Sequence, residues 1–430
     1  NEARGLTALE RKALELAGNY MAYLDHRAGK RLGVLPAKGD EHEAWVTVAD
    51  LMTTDYTDAE DPGGVLRKAK EQLQKVRAAF VSKSADAFET ASDELLATFR
   101  EAGPELGPYP SQATIDLEVA YNHWVPFRFA WVLTMFAFFF VALSMGTSWK
   151  PLYTAGVTVF VLGFVAMLVG FGMRMAISGR APVTNMYESV VYLSLGTAMF
   201  GLVFEAFYRS RYILAAAAAV STVALILADN CPATLDPSLR PLQPVLRSNF
   251  WLVTHVMSIT LSYAAFALAL GVGDITLGYF LFGSKNEAVI AALTKFTYKA
   301  LQVGVLLLAI GTILGGVWAA YSWGRFWGWD PKEVWALIAL LGYLAVLHAR
   351  FVGWVEEFGL AALAVVCFSL VVMAWYGVNF VLGSGLHSYG FGGGGQGYVY
   401  AAVLLQFLYV AAAAVLRLKA SSTLEAETAS

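Results

Sequence analysis

The stretch Trp318-Ala-Ala-Tyr-Ser-Trp323-Gly-Arg-Phe-Trp327-Gly-Trp329-Asp330-Pro-Lys-Glu333-Val-Trp335 holds five of the chain's twelve tryptophans and lies between two long apolar runs. Tryptophan gathers at bilayer interfaces because an amphipathic ring suits the headgroup level, but an ordinary belt is spread over many helix ends. So many indoles in one loop read as an aromatic shelf at a membrane surface, suited to a flat apolar ligand. Two histidines flank the shelf in sequence, His255 and His387, each beside an apolar run. That combination suggests a metalloporphyrin.

Outward from the shelf, composition describes a membrane protein with one polar appendage. The chain is 57% hydrophobic and 15% charged, where soluble domains carry about 25% charged residues. Residues 1 to 126 hold 14 of the 30 Lys and Arg and 21 of the 33 Asp and Glu, a net charge of −7, which leaves 16 basic and 12 acidic groups for the other 304 residues. The boundary therefore falls near Pro126. Residues 64 to 103 place Val65, Leu73, Val76, Phe80, Phe88, Leu95, Leu96 and Phe99 at helical spacing with no Pro or Gly between. The segment 1–126 thus reads as an acidic, mainly helical domain whose charge opposes nucleic acid and anionic lipid as partners. It begins at Asn1 without a signal peptide, and we expect an upstream segment to be missing.

From Phe127 onward nine stretches are near the length that crosses about 30 Å of hydrocarbon at 1.5 Å per residue. They are 127–146, 153–173, 186–207, 212–228, 256–282, 301–321, 334–352, 359–382 and 398–416, and residues 419–430 read as a disordered cytoplasmic tail. The fourth is short and Ala-rich. Continuous apolar runs exclude a β-barrel, whose strands alternate. The fold class expected is all-α, a polytopic helical membrane protein with an N-terminal helical extracytoplasmic domain.

The side on which a loop lies depends only on how many spans intervene. Four separate His255 from His387 and two separate His255 from the tryptophan loop, so all three share a face. Nine Lys and Arg lie on the opposite side against seven on the shelf side, a bias that puts the shelf outside the cytoplasm. Taken singly, His255 and His387 could each be an interfacial residue that solvates a helix end. Together they allow an iron held between two imidazoles above indoles. His348 differs, lying fifteen residues beyond Glu333 within the seventh span, where an ionisable group suggests a ligand or relay, with a neutral histidine bonded between helices as the alternative. The glycine run 390–397 reads as a flexible loop with no phosphate role. Cys231 and Cys367 are too far apart in sequence for a disulfide framework or a zinc signature, and without Cys-x-x-Cys-His the chain is not itself a c-type cytochrome.

The segment 323–333 closely resembles the WWD signature of the heme-handling proteins of cytochrome c maturation, and among them the CcsA (ResC) subunit of the System II cytochrome c synthase or the corresponding part of a fused CcsBA protein. Four further pieces match in the family's order: Gly179-Arg-Ala-Pro-Val-Thr-Asn-Met-Tyr-Glu188, Leu246-Arg-Ser-Asn-Phe-Trp-Leu-Val-Thr-His255, Leu347-His348-Ala-Arg350 and Val378-Asn-Phe-Val-Leu-Gly-Ser-Gly-Leu-His387-Ser-Tyr-Gly390. The resemblance spans roughly residues 150–418, with 147–418 as the CcsA-like domain and 1–146 as a looser match to the tail of a CcsB-like half.

The resemblance implies a multi-pass protein of the bacterial cytoplasmic membrane that binds heme b at its outer, periplasmic face. It attaches the heme through two thioether bonds to Cys-x-x-Cys-His of an apocytochrome c, which makes it a heme lyase. By the same resemblance His255 and His387 ligate the iron, and His348 holds heme on its way from the cytoplasm. Trp318, Trp323, Gly324, Trp327 and Trp329 then form the indole platform, Asp330 and Glu333 orient the loop, and Arg180 and Arg247 are candidates for the propionates. Implied partners are a CcsB (ResB)-like membrane half and thiol-reducing proteins. The alternative from another class is a carrier that passes heme to a chaperone without ligation. An electron-transfer cytochrome b would need two pairs of histidines across its spans, and only His348 is clearly within one.

Overall fold

The computed structural model describes residues 8–37, 44–232, 234–239, 249–282, 286–387 and 394–429. Two compact units appear, Asn1–Asp116 and Leu117–Ser430.

The first unit runs α1 (Ala8–Arg27), β1 (Gly33–Leu35), β2 (Val46–Thr47), α2 (Val48–Thr53), α3 (Val65–Val81) and α4 (Ala85–Leu106). Leu35, Leu51, Leu66, Ala69 and Ala102 form its small core. The apolar spacing over 64–103 predicts uninterrupted helix, but the chain turns at Lys83, whose φ is 57°. Ser84 restarts the helix as an N-cap, its hydroxyl accepting the Ala87 N–H at 3.4 Å. Phe80 and Phe88, two of the apolar positions at helical spacing, face each other across this turn at 6.0 Å, 70% and 40% exposed. Strands β1 and β2 pair antiparallel. At three and two residues, they are too short to carry an alternation that sequence reading could detect.

The second unit is a polytopic helical membrane protein, and nine helices among the described residues are long and apolar enough to cross a bilayer. After α5 (Gln112–Trp124) come α6 (Pro126–Thr147), α7 (Lys150–Ser178), α8 (Met186–Tyr208), α9 (Tyr212–Asn230) and α10 (Asn249–Leu281). They are followed by α11 (Glu287–Trp323), α12 (Pro331–Phe351), α13 (Glu357–Val372) and α14 (Gln396–Ala429). A π-helical segment, Met373–Leu382, continues α13, and α14 stays helical through residues expected to be a tail. The short span α9 is Ala-rich where it packs closely: Ile213 to Ala218 are all buried, and Gly201 of α8 has Ala217 where a Cβ would stand.

Water is absent from such an interior, so association rests on close approach and on internally satisfied polar groups. Ser194 and Ser221 donate reciprocally to each other's carbonyl at 3.2 Å, joining α8 to α9. Thr222 and Thr134 join α9 to α6 at 2.9 Å. The pairing that positions the site is α10 against α11. Descending α11, Gly304, Gly311 and Gly315 each leave the space that Phe266, Ile259 and His255 of α10 fill. Because these helices run in opposite directions, the steps of seven and four residues match on both, and one side-chain ladder fixes their register.

Candidate functional site

That ladder ends at His255. Its Nδ1 lies 2.7 Å from the Gly311 carbonyl, which can only accept, so the neutral ring carries its proton on Nδ1 and its lone pair on Nε2. Gly315 makes the slot in which the ring sits, since a Cβ there would collide with the imidazole. We predict that Gly315→Val, an overpacking change that costs about 1–3 kcal/mol, displaces His255. Any porphyrin bound to that ring should then be held roughly tenfold or more weakly, while far-ultraviolet circular dichroism stays helical; unchanged porphyrin affinity would contradict the slot.

The second imidazole is built by the loop between α11 and α12. Gly324, with φ of 71°, caps α11, and Trp329, at φ 58°, is a non-glycine residue in left-handed backbone. The loop folds over a carboxylate: Glu333 accepts from the N–H groups of Gly328 at 2.8 Å and Asp330 at 3.1 Å, and from the Arg325 guanidinium at 3.0 Å. Asp330 N-caps α12 in a reciprocal capping box with Glu333. Its two oxygens also reach the segment after the π-helix, accepting the Leu386 N–H at 2.6 Å and His387 Nδ1 at 2.8 Å. Gly385, at φ 97°, permits this approach, because a Cβ there would meet the Asp330 carboxylate and Pro331. Burial alone would raise the Asp330 carboxyl, but the His387 hydrogen bond and charge and the Lys332 and Leu386 N–H groups outweigh it and hold it below the ordinary carboxylate range. His387 Nδ1 faces the Asp330 carboxylate, which can only accept, so Nδ1 is the donor, and the neutral form of the ring has its lone pair on Nε2.

His255 and His387 line one cavity, together with Arg180, Trp318, Trp327 and Glu333. Trp318, 1% exposed, is the ring neighbour of both histidines, with centroids 6.3 Å from His255 and 6.0 Å from His387. Trp323 meets His387 edge-on at 4.8 Å. The indoles do not form the single plane that the sequence suggests. Trp318 and Trp323, five residues apart on α11, are inclined by 69° and Trp327 and Trp329 of the loop by 89°, the edge-to-face arrangement that suits their quadrupoles. Trp329 is 70% exposed. His348 stands apart: exposed on α12, its Nδ1 bonded to the Leu344 carbonyl at 2.7 Å, it is seventeen residues or about 25 Å along the helix from Pro331. Arg247 falls outside the described residues.

Sequence reading assigned no role to Asn185, Ser189, Trp375 and Asn379, and counted Lys332 only among the seven shelf-side cations that could meet anionic ligand groups; all five wall the cavity. Two of them come from the π-helical segment, whose wider turn re-aims side chains: Trp375 donates to the Ser189 hydroxyl at 3.0 Å, and Asn379 accepts from the Lys332 ammonium at 3.3 Å. The one available signal was Asn379 itself, a polar residue inside an apolar run.

A profile described as Cytochrome C assembly protein matches residues 183–387. Protein NrfI of Wolinella succinogenes is 33% identical over 292 residues, 65% of this chain but 32% of that protein, so the chain spans about a third of its length. Cytochrome c biogenesis protein CcsA of Prochlorococcus marinus (strain NATL2A) is 38% identical over 251 residues, covering 50% of this chain and 78% of that protein. CcsA of Guillardia theta is 33% identical over 268 residues, covering 56% and 87%. Among solved structures, Cytochrome c Heme Lyase CcmF aligns with a TM-score of 0.49 and 13% identity over 73% of this chain and 52% of that one. The similarity to CcsA runs through most of the length of those proteins, and with it the chain belongs to the CcsA family of System II cytochrome c biogenesis.

Proposed function

We propose that the chain holds heme b in this cavity, its iron between His255 Nε2 and His387 Nε2, and attaches it to an apocytochrome c as a heme lyase. The observation that carries the reading is the matched pair of tied-off imidazoles. Each donates Nδ1–H to a fixed acceptor, Gly311 carbonyl or Asp330 carboxylate, and each so directs a basic Nε2 from the wall of one cavity. Metal-bound histidines are oriented in this way, by a carbonyl or carboxylate on the far ring nitrogen. Trp318 and Trp327 then supply apolar walls and Trp323 backs His387, while Asp330 and Glu333 fix the loop and do not act as acid or base. Trp329, exposed beside them, supplies apolar surface to the incoming peptide.

Attachment is an addition: each cysteine S–H adds across a vinyl C=C, sulfur bonding to one carbon and the proton passing to the other, with no net oxidation. The protein's share of such a step is proximity and orientation. It holds the vinyl edge toward the peptide, and the histidine of Cys-x-x-Cys-His displaces one axial imidazole. Thiols must arrive reduced, which falls to separate thiol-reducing partners. We place the cavity on the outer face of the cytoplasmic membrane. His348, facing outward from α12, is a second heme station shared with a CcsB-like half, on the route from the cytoplasm.

Co-expression with an apocytochrome bearing Cys-x-x-Cys-His tests the reading. Heme should remain on the apocytochrome through acid and denaturant. Heme that is bound but extractable would instead mark a carrier that hands heme on without ligation.

A further inference from the structure

The cavity contains a cation and a donor that its two histidines do not use. Lys332 occupies the second position of α12 and lines the cavity. Its one side-chain hydrogen bond among the described residues is to a neutral amide oxygen, Asn379 Oδ1 at 3.3 Å; the Asp330 carboxylate is near enough to act on it through charge, but among the described residues no carboxylate pairs with it directly. Asn379 is itself held, donating to the Trp375 carbonyl at 2.9 Å and touching Met186 Sδ at 3.6 Å, so the lysine is directed and not adrift. An ammonium has three donors, and burying a cation with a single neutral partner is costly unless an anion arrives. The second feature is independent. Trp318, on a different helix, is 1% exposed, and its indole Nε1–H has no hydrogen-bond partner. A buried indole N–H normally finds an acceptor. Lys332 and Trp318 both line this cavity, and an ammonium without a directly paired anion and an indole N–H without an acceptor are met by the same group, an anionic acceptor carried by the ligand.

We propose that Lys332, braced by Asn379, and the Trp318 N–H form a seat for a carboxylate of the bound porphyrin, so that the ligand is chosen by its acidic edge as well as by its iron. This rests on the heme reading above. In protoheme the two propionates lie along one edge of the macrocycle and the vinyls point away from it. Seating the acidic edge against Lys332 and Trp318 would turn the vinyl edge toward the cavity mouth, where a peptide can reach it. The seat is thus a positioning and specificity device, distinct in role from the iron ligands.

The test compares protoheme with its propionate dimethyl ester, titrated into the purified full chain and followed by absorbance. Wild-type protein should prefer the free acid by about tenfold or more, the range expected for hydrogen bonds to a charged group. Lys332→Gln should erase most of that preference, Trp318→Phe should reduce it, and Lys332→Arg should retain it. His255→Ala should weaken both porphyrins alike and leave the preference intact. Equal binding of acid and ester by wild type, or a preference that survives Lys332→Gln, would overturn the carboxylate seat while leaving heme binding standing. Failure of wild type to bind either porphyrin would overturn the heme reading itself.

Discussion

Asp330→Ala is expected to lower heme affinity by about 10–100-fold, the usual effect of removing the group that orients a metal-bound histidine. Three contacts vanish together: the acceptor for His387 Nδ1, the acceptor for the Leu386 N–H, and the cap of α12. Loss of the cap alone costs about 1 kcal/mol, too little to explain a large drop in affinity. Asp330→Asn separates the two roles, because an amide still caps the helix but offers His387 no charge. Its melting temperature should stay near wild type while its heme affinity falls. The carboxyl is held below the ordinary range, so its contribution is complete at neutral pH and is lost only in acid, as the pH drops through the depressed value. Heme titration of both variants checks this, and wild-type affinity in Asp330→Ala would remove the carboxylate from the account.

The second large effect lies away from the histidines. Arg174 and Glu188 pair at 2.8 Å with each 1% exposed. Arg174 also donates to the Pro237 carbonyl at 2.9 Å and to the Tyr121 hydroxyl at 3.2 Å. The other oxygen of Glu188 accepts both the N–H and the hydroxyl of Thr184 at 2.8 Å. Such a pair adds little over an apolar replacement, yet breaking it strands a buried charge. Glu188→Ala should therefore destabilise by about 3–5 kcal/mol, and since Thr184, Asn185 and Met186 wall the cavity, heme binding should suffer as well. The double variant Arg174→Leu/Glu188→Leu should recover most of the stability. Denaturation in detergent measures both, and an undisturbed Glu188→Ala would show that the guanidinium is solvated by other means.

The spans were legible because a bilayer demands long unbroken apolar runs, and the convergence of His255, His387 and the tryptophan loop followed from counting them. What sequence could not supply was register. That Gly311 and Gly315 hold His255 depends on how α10 slides along α11, a tertiary property that no local pattern encodes. The same is true of Lys332 and Asn379, forty-seven residues apart, which meet only because a π-helical turn re-aims one of them. The indole platform misled for a related reason: composition announces aromatic rings, but the place of each ring on α11 or on the loop after it decides its plane. In the first unit, helical spacing ran straight through Lys83 because a turn made by one residue with positive φ leaves the apolar period intact on either side.

The central claim is that one iron is shared by two imidazoles whose far nitrogens are tied off. The absorption spectrum of the reduced, heme-loaded chain tests it most directly. Wild type should show a low-spin six-coordinate spectrum, His255→Ala and His387→Ala should each lose it, and added imidazole should bring it back. A low-spin spectrum that persists unchanged in both single variants would contradict the claim.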